Sequence, residues 1–323
     1  MTSVPQTLPV VAVVGATATG KSALAVRLAL ALGGEVVNAD SMQLYRGMDI
    51  GTAKPTPAEC LGVPHHVLDV WPVTATASVA EYQVLARAAM ADIAHRARVP
   101  ILTGGSGLYI GAALDDLRFP GTDPAARVAL EAEAARLGPQ AMHDRLVDVD
   151  PQAATAIEPG NVRRVIRALE VIGMTGRPFA ATLPRDAPYA VPAVAVGLRR
   201  EPGDLDRRIE SRVGAMFDAG LVAEVHGLLG DGLRSGPTAS RALGYAQVLA
   251  ALDAVPGLGA AAQSSPTLAA AAAATVTATR RFARRQQTWF RRDSRITWFD
   301  AADPHLDDRV LTHVRSLGVA VAS

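Results

Sequence analysis

The chain has 323 residues, 49% hydrophobic and 20% charged, with a formal net charge of +1 at pH 7. This is the balance of a globular protein of about two domains, not of a disordered or fibrous one, and any polyanion must be met by local basic patches. The single cysteine, Cys60, excludes an internal disulfide and suits a reducing compartment.

The N-terminus lacks a basic region ahead of its short apolar run. The alanine-rich stretch before Arg280 is broken by threonine and then turns basic. The expectation is therefore a cytoplasmic protein that neither spans nor binds a membrane. In chain order, the valine-rich run 10–14 predicts a buried strand and 22–32 a helix ended by Gly33 and Gly34. Residues 35–38 predict a second strand that delivers Asp40 to its C-terminal end. A helix over 80–98 and a strand over 99–103 follow, the strand running into the turn "GGSG". This alternation predicts parallel strands with helical crossovers, whose ligands lie at the strand C-terminal edge. Residues 124–175 read as helical, with breaks at "LGP" and "EPG". A strand over 193–198, a helical stretch over 204–229 and a mostly helical remainder complete the chain. The segment "VPGLGAAAQSSP" reads as a flexible loop. The domain expectation is a core of 1–119 with 191–323, and a helical insertion of 120–190.

Gly15-Ala16-Thr17-Ala18-Thr19-Gly20-Lys21-Ser22 fits G-x-x-x-x-G-K-[ST] between a strand and a helix. The glycines let backbone N–H groups converge on an anion, and the helix N-terminus adds partial positive charge. Lys21 supplies a mobile cation, and the Ser22 hydroxyl suits Mg²⁺. The fold expectation is thus α/β, a parallel sheet of the P-loop NTPase kind with an all-helical insertion and a helical C-terminal part. The strand "VPILTGGSG" lacks the terminal Asp of an ATPase or kinase, and no N-K-x-D motif reads guanine. A diphosphate is indicated, ATP hydrolysis is not. Asp40, between an apolar strand and polar Ser41 and Gln43, has three roles open to it: metal ligand, general base or turn former.

The segments "GATATGKS", "NADSMQLYRGMDIGTAKP", "VPHHVLDV", "ILTGGSGLYI", "NVRRVIRALEV", "RALGYAQ" and "ARRQQTWFR" occur in that order. Together they resemble the bacterial tRNA dimethylallyltransferase family over about residues 10–300. The resemblance implies transfer of a dimethylallyl group from its diphosphate to the exocyclic amine of the adenosine just 3′ of the anticodon, with Mg²⁺. The partners it implies are the tRNA anticodon stem-loop and dimethylallyl diphosphate, with no obligatory protein partner. It makes Asp40 the base, with Lys21 and Ser106 also catalytic, and Arg212 a diphosphate ligand beside the 15–22 loop. Ser106 stands where many members carry Thr. For tRNA it implies Asp40, Ser41, Met42, Gln43 and Ser106; Arg127, Arg163, Arg164, Val165, Ile166 and Arg167; and Arg241, Gly244, Tyr245 and Gln247.

Read without the resemblance, Val162, Ile166, Leu169 and Ile172 form an apolar helical stripe. Ile209, Val213, Met216, Phe217 and Leu221 form another. Arginines 280, 281, 284, 285, 291, 292 and 295 suit phosphates, whereas Phe282, Trp289 and Phe290 read as core anchors. His65 and His66, adjacent in a strand, point to opposite faces and make a poor metal pair. A small-molecule kinase, a free-nucleotide isopentenyltransferase and a non-catalytic RNA-binding module are the competing classes. The intact Lys21, Ser22 and Asp40 disfavour the last, and the arginine-rich segments disfavour the other two.

Overall fold

The computed structural model describes residues 9–179, 187–255 and 265–319. The chain divides into two compact units, Met1–Asp116 with Arg185–Ser323, and Leu117–Pro184. The division falls a few residues ahead of the expected 120 and 190. Most of the loop expected at 255–266 lies outside the described residues.

In the larger unit the chain runs β1 (Val10–Gly15), α1 (Lys21–Leu32), β2 (Glu35–Asn38), α2 (Pro57–Cys60), β3 (His65–His66), α3 (Val79–His95), β4 (Pro100–Gly104) and α4 (Gly107–Leu114). The smaller unit holds α5 (Pro124–Val149), α6 (Pro151–Ala156) and α7 (Val162–Thr175). The larger unit resumes with β5 (Ala193–Arg199), α8 (Pro202–Asp218), α9 (Leu221–Gly230), α10 (Tyr245–Ala254), α11 (Pro266–Phe290), β6 (Ile296–Asp300) and α12 (Leu306–Ser316). The strands form one sheet in the order β3-β2-β4-β1-β5-β6, with every pair parallel.

Every residue of β1 is buried, as an unbroken valine run demands in a sheet covered on both faces. Val11 and Val13 pack into a layer with Leu24, Leu28 and Leu32 of α1 and with Val310 and Val314 of α12. A second cluster buries the chain after Asp40: Tyr45 and Met48 pack against Leu221 and Val225 of α9 and Tyr245 and Val248 of α10. Three sequence expectations change. The stretch 204–229 is two helices, because Gly220 adopts φ 103° between α8 and α9. Leu221 therefore belongs to α9 rather than to the α8 stripe. The C-terminal part also contributes an edge strand, β6, which pairs Trp298 with Gly197.

In the smaller unit, Leu130, Met142 and Leu146 of α5 meet Val165, Ile166 and Leu169 of α7. The "LGP" break appears as a kink inside α5, with Gly138 at φ 85° ahead of Pro139. Buried Glu170 accepts hydrogen bonds from Arg127 Nη2 (2.5 Å) and the Asp123 amide (2.9 Å), and pairs with Arg167 at 3.0 Å. Paired burial of this kind keeps a carboxylate ionised inside an apolar bundle. Burial pushes its pKa up, but the bonds from Arg127, Arg167 and the Asp123 amide, with the Arg167 charge, together hold it below the usual carboxylate range.

Candidate active site

The segment Gly15–Ser22 joins β1 to α1. Gly15 has φ 141°, and a Cβ there would lie 2.6 Å from the Leu198 carbonyl oxygen of β5, so no other residue fits. Ala18 (φ 62°) and Gly20 (φ 99°) turn the loop through left-handed conformations. The Thr19 hydroxyl donates to Ala16 O at 2.8 Å, and Arg208 Nε of α8 donates to Ala18 O at 3.0 Å. Lys21 Nζ folds back to donate to Ala16 O at 2.6 Å. Burial chiefly, then the Arg212 guanidinium, push the Lys21 pKa down to about 7, and Asp40 opposes them. Burial likewise lowers Arg212, against the raising effect of Asp40 and Glu59. Two cations and one carboxylate thus share a small volume, and an entering polyanion would relieve the cation repulsion.

Ser22 is exposed at the start of α1. Among the described residues no three His, Cys, Asp or Glu side chains cluster as a metal site. A hydroxyl at a helix N-terminus fits Mg²⁺ when phosphate oxygens complete the octahedron, since Mg²⁺ keeps waters and binds few protein ligands directly.

Arg212 lies between two cavities. A cleft of 730 Å³ is lined by Gly20, Lys21, Ser22, Arg207, Arg208 and Arg212. A cavity of 320 Å³ carries Asp40, Ser41, Met42, Thr17, Arg212 and Arg241 among its polar and loop walls. Ile209, Val213, Met216, Leu243 and Phe282 give it an apolar stretch of wall, beside Thr275, Thr279 and Arg285. Asp40 Oδ1 accepts the Met42 amide at 2.9 Å, while the Asp40 amide donates to Asn38 Oδ1 at 2.8 Å. The carboxylate is therefore oriented into a cavity that is part anionic, part cationic and part oily. Ser106 reaches this segment through Ser41: its hydroxyl accepts the Ser41 amide and donates to the Ser41 hydroxyl, both at 3.3 Å.

Other expected contacts sit differently. Gln43 is buried and its NH₂ donates to Thr52 O (3.2 Å) and Ala53 O (3.1 Å), so it braces that loop. Tyr245 is fully buried, with its hydroxyl donating to Glu224 at 2.5 Å. Gly244 is buried and donates its amide to Gln247 Oε1 at 2.8 Å. Of "RALGYAQ", Arg241 is the residue exposed on the cavity. Val165 and Ile166 are core residues of the helical unit, because the stripe that makes α7 amphipathic consumes them. Arg163 and Arg164 are exposed on a groove they share with Arg127 and Arg167, of which the latter two also hold Glu170. Phe290 is buried, whereas Phe282 and Trp289 are half-buried. Arg280 pairs with Glu210 at 2.9 Å and Arg295 with Asp115 at 2.6 Å, so neither is a bare phosphate ligand. His66 bonds Glu35 at 2.7 Å, and His65 Nδ1 lies 2.9 Å from Val63 O. Cys60 has its thiol pKa raised by burial first and by Glu59 second.

Two site-building residues were not singled out from sequence. Glu224 of α9 accepts the amides of Asp49 (3.0 Å), Ile50 (2.7 Å) and Gly51 (3.2 Å) besides the Tyr245 hydroxyl. It fixes the loop whose Thr52 carbonyl faces Arg212 at 3.4 Å. Gln286 of α11 is the other.

Residues 43–293 match the family model described as IPP transferase. The chain belongs to that family. A tRNA dimethylallyltransferase of Salinispora arenicola is 58% identical over 307 residues, spanning 95% of this chain and 86% of the relative. One from Acidothermus cellulolyticus is 60% identical over 300 residues, spanning 92% and 91%. The crystal structure of the full-length tRNA isopentenylpyrophosphate transferase of Bacillus halodurans superimposes with a TM-score of 0.67 at 39% identity, covering 96% of this chain and 95% of that one. A eukaryotic dimethylallyltransferase acting on tRNA shares the fold, with a TM-score of 0.77 at 24% identity over 96% of this chain and 79% of its own. The sheet order and the strand-end loops described above are thus those of an IPP transferase. No single helix among the described residues is long and apolar enough to cross a membrane.

Proposed function

We propose that this IPP transferase moves the dimethylallyl group of dimethylallyl diphosphate to the exocyclic amine of the adenosine 3′-adjacent to the anticodon of tRNA, releasing diphosphate. The observation that carries the reading is the 320 Å³ cavity in which Asp40 and Arg212 face an apolar wall. A phosphate-splitting site needs no such wall, and an isoprenoid tail does.

In this reaction the amine nitrogen attacks C1 of the donor. The C1–O bond breaks, and its electron pair leaves with the diphosphate. Lys21, the amides of the Gly15–Ser22 loop other than that of Thr17, and Arg212 stabilise the charge that grows there. Asp40 accepts the proton released from the amine, a role typically contributing 10²–10⁴-fold. Ser22 with the donor's phosphate oxygens would hold Mg²⁺, which when bound supplies further neutralisation of the leaving group. Met216, Val213 and Phe282 cover the allyl chain and keep water from it. The acceptor base has to leave its stack to reach Asp40, as bases modified by enzymes do. In this reading Ser41, Met42 and Ser106 meet the base, Arg241 its phosphates, and Arg163 and Arg164 the stem-loop.

The test is incubation with radiolabelled dimethylallyl diphosphate and unmodified tRNA, followed by nucleoside analysis. Label is expected in one adenosine beside the anticodon. Consumption of ATP with a small metabolite, with RNA left unlabelled, would overturn the reading.

A further inference from the structure

Gln286 is buried near the C-terminal end of α11, just after the arginines of that helix. Its Oε1 accepts the Thr17 amide at 2.9 Å, and its Nε2 donates to Gly105 O at 2.9 Å. One partner is a donor and the other an acceptor, so the orientation of the amide is fixed by the pair. Thr17 belongs to the phosphate loop after β1. Gly105 belongs to the turn after β4, one residue ahead of Ser106. A Cβ at Gly105 would come within 2.2 Å of Nε2, and a Cβ at Gly107 within 1.9 Å of the Trp289 indole nitrogen. The turn is therefore moulded to the Gln286–Trp289 face of α11. The Thr17 N–H is spent on Gln286 rather than left for an anion.

We propose that Gln286 is a positioning residue that sets the distance between the leaving-group loop and the acceptor-side turn. The inference rests on the prenyl-transfer reading above. In a displacement the attacking nitrogen and the departing oxygen are held by different loops, and their relative placement enters the rate of the chemical step. A misplacement of about 1 Å costs roughly 10²-fold. Neither substrate loses a direct contact, so kcat falls while KM stays near its wild-type value.

The variants are Gln286→Leu, which loses both bonds, and Gln286→Glu, which can still accept from Thr17 but cannot donate to Gly105. Steady-state prenyl transfer to tRNA is measured with protein shown to be folded by circular dichroism. Both variants are expected to lose about 30-fold or more in kcat, with KM for donor and for tRNA within about threefold of wild type. A kcat within threefold of wild type in either variant overturns the proposal, as does a loss confined to melting temperature. Amide hydrogen exchange on the wild-type protein gives an independent reading: the Thr17 amide is expected to be protected without donor, and exchange at an open-loop rate overturns the tie. Failure of wild-type protein to prenylate tRNA counts against the function instead, and hydrogen exchange still decides the tie.

Discussion

Raising the pH from 7 to 9 discharges Lys21 in the donor-free loop, and donor affinity falls with it. Burial and the Arg212 guanidinium hold its pKa at about 7, against an ordinary 10.5. At pH 7 half of the molecules carry the ammonium; at pH 9 about one in a hundred do. A diphosphate seated on the loop supplies the countercharge the site lacks and returns the pKa towards its ordinary value. If binding requires the ammonium, the apparent dissociation constant scales with 1 + 10^(pH − 7), so affinity weakens about 50-fold between pH 7 and pH 9. Secondary phosphate groups ionise near pH 6 and add little to the slope above 7. Calorimetry with a non-cleavable donor analogue, in buffers of different ionisation enthalpy, should show uptake of about 0.9 proton at pH 8. Lys21→Arg keeps its charge throughout and should bind with a flat profile. Less than threefold weakening in wild type, or an equal slope in Lys21→Arg, would refute the reasoning. The same shift has the opposite sign for folding. The native site releases a proton the unfolded chain retains, so donor-free protein gains stability as pH rises from about 7 towards 10.5.

Asp40→Ala should abolish prenyl transfer while leaving donor and tRNA binding within threefold, measured by single-turnover kinetics and filter binding; near-normal turnover would remove Asp40 from the base role. Glu224→Ala strips four donors of their acceptor. Sharing one half-exposed carboxylate limits the loss to about 3 kcal/mol, which lowers the melting temperature by roughly 4–6 °C, and the loosened Thr52 carbonyl should raise KM for the donor. Replacing Arg163 and Arg164 together by Ala should reduce the slope of log affinity for tRNA against log salt by about 1–2. Arg167→Ala should instead destabilise the helical unit by about 1–3 kcal/mol, because it removes one of the cations on buried Glu170, and an unchanged unfolding profile would contradict that pairing.

The phosphate loop and the strand ends were legible in the sequence because their constraints are local. A valine run, a glycine pattern and a polar segment after a strand each announce themselves within a few residues. β6 did not, for five residues of edge strand carry little periodicity, and it follows a basic helix that looks continuous with it. The arginines read as one class from sequence and divide into two in the structure. Arg163 and Arg241 stay exposed, whereas Arg127, Arg280 and Arg295 meet carboxylates 43, 70 and 180 residues away. Glu224 and Gln286 escaped notice for the same reason: each acts on backbone groups more than a hundred residues distant, and no spacing rule connects them.

The helical unit enters between α4 and β5, and the strands it separates along the chain, β4 and β5, flank β1 in the sheet. Both ends of the insert therefore return to the central strand's immediate neighbours, whose mutual registry is locked by the β1 ladder whatever lies in between. The insert can therefore be lengthened, trimmed or exchanged while the ends of β1, β2 and β4 keep their places.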